Sequence, residues 1–178
     1  MKTELEKYRK LRDQIDLLVA TLENQHKQHL ACKKGCDLCC MDYSIFPVEF
    51  YSILGALNQK NEQHVFPTQN VDGSCVFLKD HQCTIYDERP IICRTHGLPL
   101  LYMNEVNEWE LSACELNFTS FDMNDFTSEN TFPQDNFNSE LLLINREFIR
   151  HFKNIRFNEF DLIPVRNLLN ELIQNEKK

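Results

Sequence analysis

Eight cysteines restrict what this chain can fold into, because all of them fall between residues 32 and 114. They are Cys32, Cys36, Cys39, Cys40, Cys75, Cys83, Cys93 and Cys114. The first four lie within nine residues of one another. Thiolates gathered this densely are typical of proteins that hold a soft metal ion or an iron–sulfur cluster. The sequence therefore indicates what the protein binds more clearly than what it does.

The cysteines are expected to be reduced, because nothing in the sequence suggests export. Residues 1–20 are charged throughout, unlike a secretion signal, and no apolar run is long enough to span a membrane. We therefore expect a cytoplasmic protein that does not enter a membrane. In that compartment clustered cysteines more often bind metals or act in catalysis than form disulfides. A framework of four disulfides is the alternative, although the adjacent Cys39 and Cys40 are poorly placed to pair with each other.

The charge of the chain argues against a nucleic-acid partner. The formal net charge is −8, and no run of Lys or Arg is longer than a pair such as Lys33-Lys34. Phosphate backbones require a basic surface. Cys/Cys…His/His spacing of the zinc-finger type is also lacking. A protein partner remains open, as does the oligomeric state.

Length and patterning predict one domain over residues 1–178, of the α+β class and mainly α. An amphipathic helix covers residues 1–31, with Tyr8, Leu11, Ile15, Leu18 and Leu22 at helical spacing and Leu17 and Val19 widening the stripe. We expect this helix to pack on its own domain rather than form a coiled coil. The cysteine-rich core follows over residues 32–116, a Phe-rich loop over 117–138, and further helices over 139–178.

Local signals place short elements in the cysteine-rich core. A helix is predicted over residues 47–57, with Pro47 in its first turn, and a polar connection over 58–70. Residues 75–86 and 100–112 each predict a hairpin, the first turning at 79–82. Between them, residues 87–93 start a helical turn that Gly97 and Pro99 end. Near the C-terminus, Asp161 is expected to cap a final helix with Pro164 in its first turn.

The spacing of the cysteines bears on how they chelate. Cys36-x2-Cys39 is a two-sulfur clamp for zinc or iron–sulfur centres, and a helical turn could add Cys32. Gly35 is suited to a positive φ in a metal-wrapping turn. Adjacent side chains diverge, so Cys39 and Cys40 are expected to serve different metals or different irons. Two four-thiolate sites that adjoin at this doublet, or one site with spare cysteines, are both open. Ligand type alone does not separate zinc from iron–sulfur.

Histidine and arginine residues are weaker candidates. His96 could replace a sulfur but is expected to be capping or solvated. The remaining histidines are expected at the surface, with His81 able to donate to a sulfur; they are His26, His29, His64, His81 and His151. Arg89 and Arg94 bracket Cys93 and would offset the negative charge of a thiolate site, unless they pair with Asp87 and Glu88.

The cysteine pattern resembles that of a bacterial family. The chain is similar to YkgJ-type proteins, which carry a zinc- or iron-chelating domain, in three consecutive motifs. These are Cys-x3-Cys-x2-Cys-Cys, then Cys75-Val-Phe-Leu, then Cys-Thr-Ile-Tyr-Asp-Glu-Arg-Pro-Ile-Ile-Cys-Arg over residues 83–94. The resemblance covers about residues 32–114. It implies that the first seven cysteines are metal ligands, with Cys114 at the position of a late cysteine. Arg89, Pro90 and Arg94 match the signature without an assigned role.

Two enzyme interpretations are alternatives to a metal-binding protein. A flagellin lysine methylase, which uses S-adenosylmethionine, resembles this family in its cysteine motif, and this implies an iron–sulfur-dependent protein methylase. However, the sequence contains no Gly-rich strand–loop–helix for that cofactor. Cys32-x3-Cys36-x2-Cys39 also matches the radical S-adenosylmethionine motif, but the βα alternation of those enzymes does not follow. No catalytic set such as Ser/His/Asp or paired carboxylates is identifiable, so the catalytic residues are left unknown.

Overall fold

The computed structural model describes residues 1–33, 35–59, 73–152 and 156–176, and His64 with most of the predicted connection over 58–70 lies outside them. Within these residues, five helices are joined by short strands. The helices are α1 (Lys2–Gln25), α2 (Pro47–Gln59), α3 (Ile91–Thr95), α4 (Gln134–Ile149) and α5 (Arg166–Glu176). The strands are β1 (Ser44–Ile45), β2 (Leu78–Lys79), β3 (Gln82–Cys83), β4 (Leu100–Met103), β5 (Trp109–Ser112), β6 (Phe132–Pro133) and β7 (Ile163–Pro164). The predicted α+β class, mainly α, is confirmed.

Helix α1 packs on its own chain, as its apolar stripe predicts. Tyr8, Leu11, Ile15 and Leu22 are each at most 1% exposed. They form the first core with residues of α2, α3 and α4. Leu17 does not widen the stripe, because it faces solvent and is 73% exposed. None of the helices in the described part of the chain is long and apolar enough to cross a bilayer.

A second core holds the cysteine-rich region against the C-terminal helix. Phe77, between Cys75 and β2, is fully buried and packs with residues of α2 and α5. Strand β1 pairs with β7 in antiparallel fashion, and β2 pairs with β3. The chain segment that follows the first four cysteines is thus joined to the C-terminal segment, because Val165 also donates its N–H to the carbonyl of Tyr43.

The two predicted hairpins are confirmed. Leu78 pairs with Cys83 and Lys79 with Gln82 in the first hairpin, whose turn residues Asp80 and His81 both have positive φ. Asp tolerates this left-handed conformation better than most residues. The second hairpin is β4 with β5, and β4 also pairs in parallel with β6.

The predicted Phe-rich loop over residues 117–138 is wrong at its end. Phe132 lies in β6 and is 1% exposed, and Phe137 already belongs to α4. The earlier phenylalanines surround His26, whose ring lies 5.0 Å from that of Phe118. His26 is therefore buried rather than at the surface, and its Nε2 lies 2.6 Å from the carbonyl oxygen of Asn130. The segment that carries Phe118, Phe121 and Phe126 was predicted to be a loop from its sequence, and these side chains pack on His26 at the end of α1.

The start of the final helix also differs from its prediction. Asp161 does not cap it, because its carboxylate accepts from the N–H of Asn158. Pro164 pairs with Ser44 in β7 instead of entering the helix, which begins at Arg166. The long-range strand pairing with β1 takes precedence over the local helix signal here.

Glu49 is a buried carboxyl at the contact between α1, α2 and α3. It is 3% exposed and accepts from the N–H of Ile91 at 3.1 Å and from the hydroxyl of Tyr8 at 3.3 Å. Burial raises the pKa of Glu49 to about 7. The native state therefore keeps a proton that the unfolded chain releases at its ordinary pKa of 4.5.

This titration predicts a pH-dependent stability. The contribution of neutral Glu49 is fully present below about pH 4.5 and is lost as the pH rises through about 7. Glu49→Gln should be the more stable protein above pH 7, by up to roughly 3 kcal/mol, and nearly equal to wild type near pH 5. Urea unfolding of both proteins at several pH values measures this difference. The titrating cysteines affect both proteins equally, so they do not contribute to the difference between them. Parallel stability curves would contradict it.

Candidate metal centre

Four separate segments carry the eight cysteines, and backbone hydrogen bonds bring them together. The carbonyl of Cys40 accepts from the N–H of Cys75 at 3.0 Å, and Met41 forms a β-bridge with Ser74. The N–H of Phe118 donates to the carbonyl of His29 at 2.8 Å. Residues 29–41 thus run beside both the first hairpin and the segment after Cys114.

The densest cysteine group lies in turns rather than in a helix. Helix α1 ends at Gln25, so the predicted helical turn from Cys32 to Cys36 is not formed. Instead the N–H of Cys36 donates to the carbonyl of Lys33 at 2.9 Å, and Gly35 between them has φ +92°. The positive φ predicted for Gly35 is confirmed.

Cys32 and Cys114 flank the same glycine. A Cβ placed on Gly97 would lie 3.0 Å from the Sγ of Cys32 and 3.9 Å from the Cβ of Cys114. Gly97 also has φ +95°, which L side chains rarely adopt. Its lack of a side chain is therefore what allows the two cysteines to approach α3 closely.

Asn117 organises this corner, and the sequence gives no signal for it beyond its position three residues after Cys114. It is 4% exposed. Its Oδ1 accepts from the N–H of Ala31 at 2.8 Å, and its Nδ2 donates to the carbonyl of Gly97 at 2.7 Å. The same Nδ2 lies 3.3 Å from the Sγ of Cys32. An amide that donates to a sulfur both orients it and favours its thiolate form.

The charges of neighbouring cysteines indicate two overlapping sets, since Cys39 raises the pKa of both Cys32 and Cys93. We name the loop set and the hairpin set by their members. The loop set is Cys32, Cys36, Cys39 and Cys114, and the hairpin set is Cys40, Cys75, Cys83 and Cys93. Burial raises the pKa of Cys32, and the nearby thiolates of Cys114, Cys36 and Cys39 raise it further. The thiolates of Cys83, Cys75 and Cys93 act in the same direction on the pKa of Cys40.

The adjacent Cys39 and Cys40 join the two sets. Both residues lie at a turn, where the N–H of Cys40 donates to the carbonyl of Asp37 at 2.8 Å, and their thiols interact. This interaction raises the pKa of Cys39 and lowers that of Cys40. That Cys39 and Cys40 serve different metals or different irons stays a prediction.

The hairpin set is anchored to the second core. Cys75 and Cys83 pack against its buried residues, among them Phe77 and Ile85. Burial raises the pKa of both thiols, and it raises that of Cys93 on α3 to about 12. As free thiols at neutral pH these three are protonated, so metal binding there would release protons.

Arg89 supplies positive charge to the hairpin set. Its guanidinium lies 3.8 Å from the ring centre of Tyr86. Its charge partly offsets the rise in pKa that burial causes at Cys83 and Cys93, and it acts in the same direction on Cys39 of the loop set. Its Nε is buried and has no hydrogen-bond partner in the described part of the chain. An unpaired cationic donor beside several sulfurs is what a negatively charged thiolate site would use.

Arg94 does not serve the cysteines, contrary to its predicted role. Its side chain is 5% exposed, and Nη1 contacts both carboxylate oxygens of Asp16 at 2.7 Å. It also donates to the carbonyls of Arg89 and Asp87. Arg94 therefore fixes α3 to α1. Sequence analysis had offered Asp87 as its alternative partner, but the carboxylate that Arg94 pairs with is that of Asp16 in α1.

The histidines near the cysteines bind other groups. His81 does not donate to a sulfur, because its Nδ1 lies 2.9 Å from a carboxylate oxygen of Asp37. His96 is exposed, as expected, and its Nδ1 is 3.5 Å from the hydroxyl of Tyr43. That hydroxyl also donates to the carbonyl of Cys39 at 3.2 Å. Tyr43, which sequence reasoning missed, thus helps to hold the doublet.

All eight cysteines are free thiols, and the alternative of four disulfides is not what the structure shows. In the described ranges, no three Cys, His, Asp or Glu side chains form a group that could hold a metal ion as they stand. The sulfurs are therefore neighbours in space without forming a closed site.

Comparison with known proteins gives one match. Residues 31–115 match the family model described as "CxxCxxCC: Putative zinc- or iron-chelating domain". The matched segment contains all eight cysteines, together with Arg89 and Arg94. No curated protein and no solved structure matches the chain.

Proposed function

We propose that the chain binds two metal centres in the reducing cytoplasm, on the premise that residues 31–115 match the family of zinc- or iron-chelating CxxCxxCC domains. The loop set holds one and the hairpin set the other. The observation that carries the proposal is the convergence of four chain segments, from residues 32 to 114, on one region that contains every cysteine. Such convergence brings together ligands that are far apart in sequence.

Two hydrogen-bond donors support a metal–thiolate interpretation of this region. The buried, unpaired Nε of Arg89 belongs to the side of the hairpin set, and the Nδ2 of Asn117 lies beside Cys32 in the loop set. Each set therefore has a donor that would stabilise thiolates once their protons are lost. An apolar core would gain nothing from either group.

The chemistry depends on which centre is held. A closed zinc site stabilises the fold, whereas an iron–sulfur centre adds electron transfer. In either case the chain must deprotonate its thiols, and Arg89 favours this step at Cys83 and Cys93 by its charge. The reducing compartment keeps the same thiols from oxidising to disulfides.

Metal analysis tests the proposal directly. Protein purified without oxygen should contain about two zinc ions per chain or, if the centres are iron–sulfur, roughly four to eight irons with an equal amount of acid-labile sulfide. Cys36→Ser and Cys39→Ser should each lower the metal content and the melting temperature, because binding energy at such a site is also folding energy. Ala113→Ser, an exposed change beside Cys114, is the matched control and should do neither. Unchanged metal content in both cysteine variants would refute the assignment.

Asn117→Ala is expected to weaken the loop set specifically. The change removes bonds to Ala31, Gly97 and Cys32 and should lower metal affinity by about 10–100-fold. The control is Asn145→Ala, since Asn145 is also buried and bonds two backbone groups, those of Val48 and Glu159. Both variants should lose roughly 1–3 kcal/mol of stability. Only Asn117→Ala should change metal titrations, and an equal effect of Asn145→Ala would contradict the role.

A further inference from the structure

The small sheet formed by β4, β5 and β6 has one apolar face that is turned away from the first core. Side chains alternate between the two faces of a strand, and cross-strand partners share a face. The strand register therefore places on one face Leu101, Met103, Trp109, Leu111 and Pro133. The opposite face carries Leu100 and Phe132, which pack in the first core. We call the apolar face that does not meet this core the outer face.

The outer face contains a groove of about 410 Å³, and its lining includes Leu101, Trp109, Ser128, Pro133, Asp135 and Asn136. Trp109 is 66% exposed and Met103 is 43% exposed. The carboxylate of Asp135 is held at the groove, because its Oδ2 accepts from the N–H of Met103 at 2.7 Å. Large apolar side chains left open to water around a concave surface are typical of a binding site.

The chain around this groove is strongly acidic. Residues 95–145, which include all three strands and most of α4, contain nine Asp and Glu residues and no Lys or Arg. The formal net charge of the whole chain is −8, so its entire negative balance comes from this segment. Glu108 and Glu110 flank Trp109 in the sequence, and Asp135 lines the groove itself. Such a surface attracts cationic molecules and repels anionic ones.

This charge indicates what occupies the outer face. A second copy of the chain would bring two acidic segments together, and anionic membranes and nucleic acids would be repelled. A basic segment is attracted instead, and the face of a Trp ring binds a guanidinium or ammonium group.

We propose that the outer face is a docking site for a basic, amphipathic segment of a partner protein. Apolar side chains of that segment pack on Leu101 and Pro133, while its Arg or Lys side chains contact the ring of Trp109 and the carboxylate of Asp135. The lining of the groove contains no cysteine in the described part of the chain. The inference therefore goes beyond the proposed function and does not depend on bound metal.

Peptide titration of the full chain tests the site directly, because Trp109 is its single tryptophan. The probe is a short peptide of alternating Arg and Leu, which should shift the emission of Trp109 to shorter wavelength and saturate at one peptide per chain. Peptides with Glu in place of Arg, or with Ser in place of Leu, should bind at least about tenfold more weakly, because each lacks one of the two contributions. Unchanged emission, or equal binding of the Glu peptide, would overturn the proposal.

Variants then locate the contact, with binding followed by the anisotropy of a labelled peptide. Trp109→Ala should weaken binding about tenfold or more, as loss of a central interface Trp usually does. Asp135→Asn keeps an acceptor for the N–H of Met103 but removes the charge, and should weaken binding roughly two- to fivefold. Phe160→Ala is the matched control and should change nothing. Phe160 is 67% exposed and, like Trp109, stands between two acidic residues.

Three results would overturn the assignment. The first is binding that neither Trp109→Ala nor Asp135→Asn weakens, and the second is an equal loss in Phe160→Ala, which would show adsorption to any acidic surface. The third is a dimer of the free chain in sedimentation that Trp109→Ala dissociates, because a second copy would then cover the outer face.

Discussion

Stripping the metal from the full chain is expected to unfold residues 32–43 and the hairpin β2–β3 while leaving the core around α1 and α4 folded. The first core is formed by helices whose buried residues include Tyr8 and Phe148 and contains none of the cysteines. The second core includes Phe77, which is held between Cys75 and Cys83. Under the proposed function, loss of the ions removes the cross-links between the cysteine segments and leaves only the short strand pairings and the second core to hold this region.

The expected loss is large. Binding free energies of structural thiolate sites reach ~10 kcal/mol, so removal should lower the stability of the cysteine-rich region by roughly 5 kcal/mol or more. Hydrogen exchange with mass spectrometry, before and after chelation, shows where protection is lost. Zinc added back should restore it, whereas magnesium, which prefers oxygen ligands, should not. Equal protection in the two samples would contradict a structural role for the metal.

Replacing Arg94 should have the next largest effect on stability. Arg94→Met removes a buried guanidinium and leaves the carbonyls of Asp87 and Arg89 without their donor. Breaking a buried ion pair from one side costs about 3–5 kcal/mol. The Asp16 carboxylate is 42% exposed and is resolvated, so the lower end of that range is expected.

A pair of control variants separates the ion pair from the carbonyl contacts. Asp16→Asn removes only the charge on α1 and should cost about 1 kcal/mol, as for a half-exposed pair. Arg94→Lys keeps the positive charge but loses the planar guanidinium, which donates to several acceptors at once. The stability it loses should therefore lie between the losses in Arg94→Met and Asp16→Asn. Urea unfolding measures all three. If Arg94→Met proved no worse than Asp16→Asn, the bonds from Arg94 to the carbonyls would contribute nothing.

Local chemistry made much of the cysteine-rich region predictable from sequence. The turn at Gly35, the helical turn that α3 forms and the two hairpins all depend on residues within a few positions of one another. The approach of Cys40 to Cys75 and of Cys32 to Cys114 was inferable from the density of the cysteines, because clustered cysteines usually share one function.

Long-range contacts account for what the sequence could not supply. The contacts of Arg94 with Asp16, of Asn117 with Gly97 and of His26 with Phe118 each join residues far apart in the chain, and no periodic pattern encodes them. Pro164 illustrates the same limit: it suits the first turn of a helix locally, yet pairing with Ser44 draws it into a strand. A tertiary contact overrides a local preference wherever it stabilises the chain more.

The position of Cys114 beside Gly97 and Cys32 has a consequence for the timing of metal acquisition during translation. The ribosome releases Cys32, Cys36 and Cys39 early. It releases Cys114, which follows the second hairpin, much later. A nascent chain therefore offers only a partial clamp until most of the protein has been made. If Cys114 is a ligand as proposed, an ion bound there would close a long loop and lower the entropy of the unfolded chain.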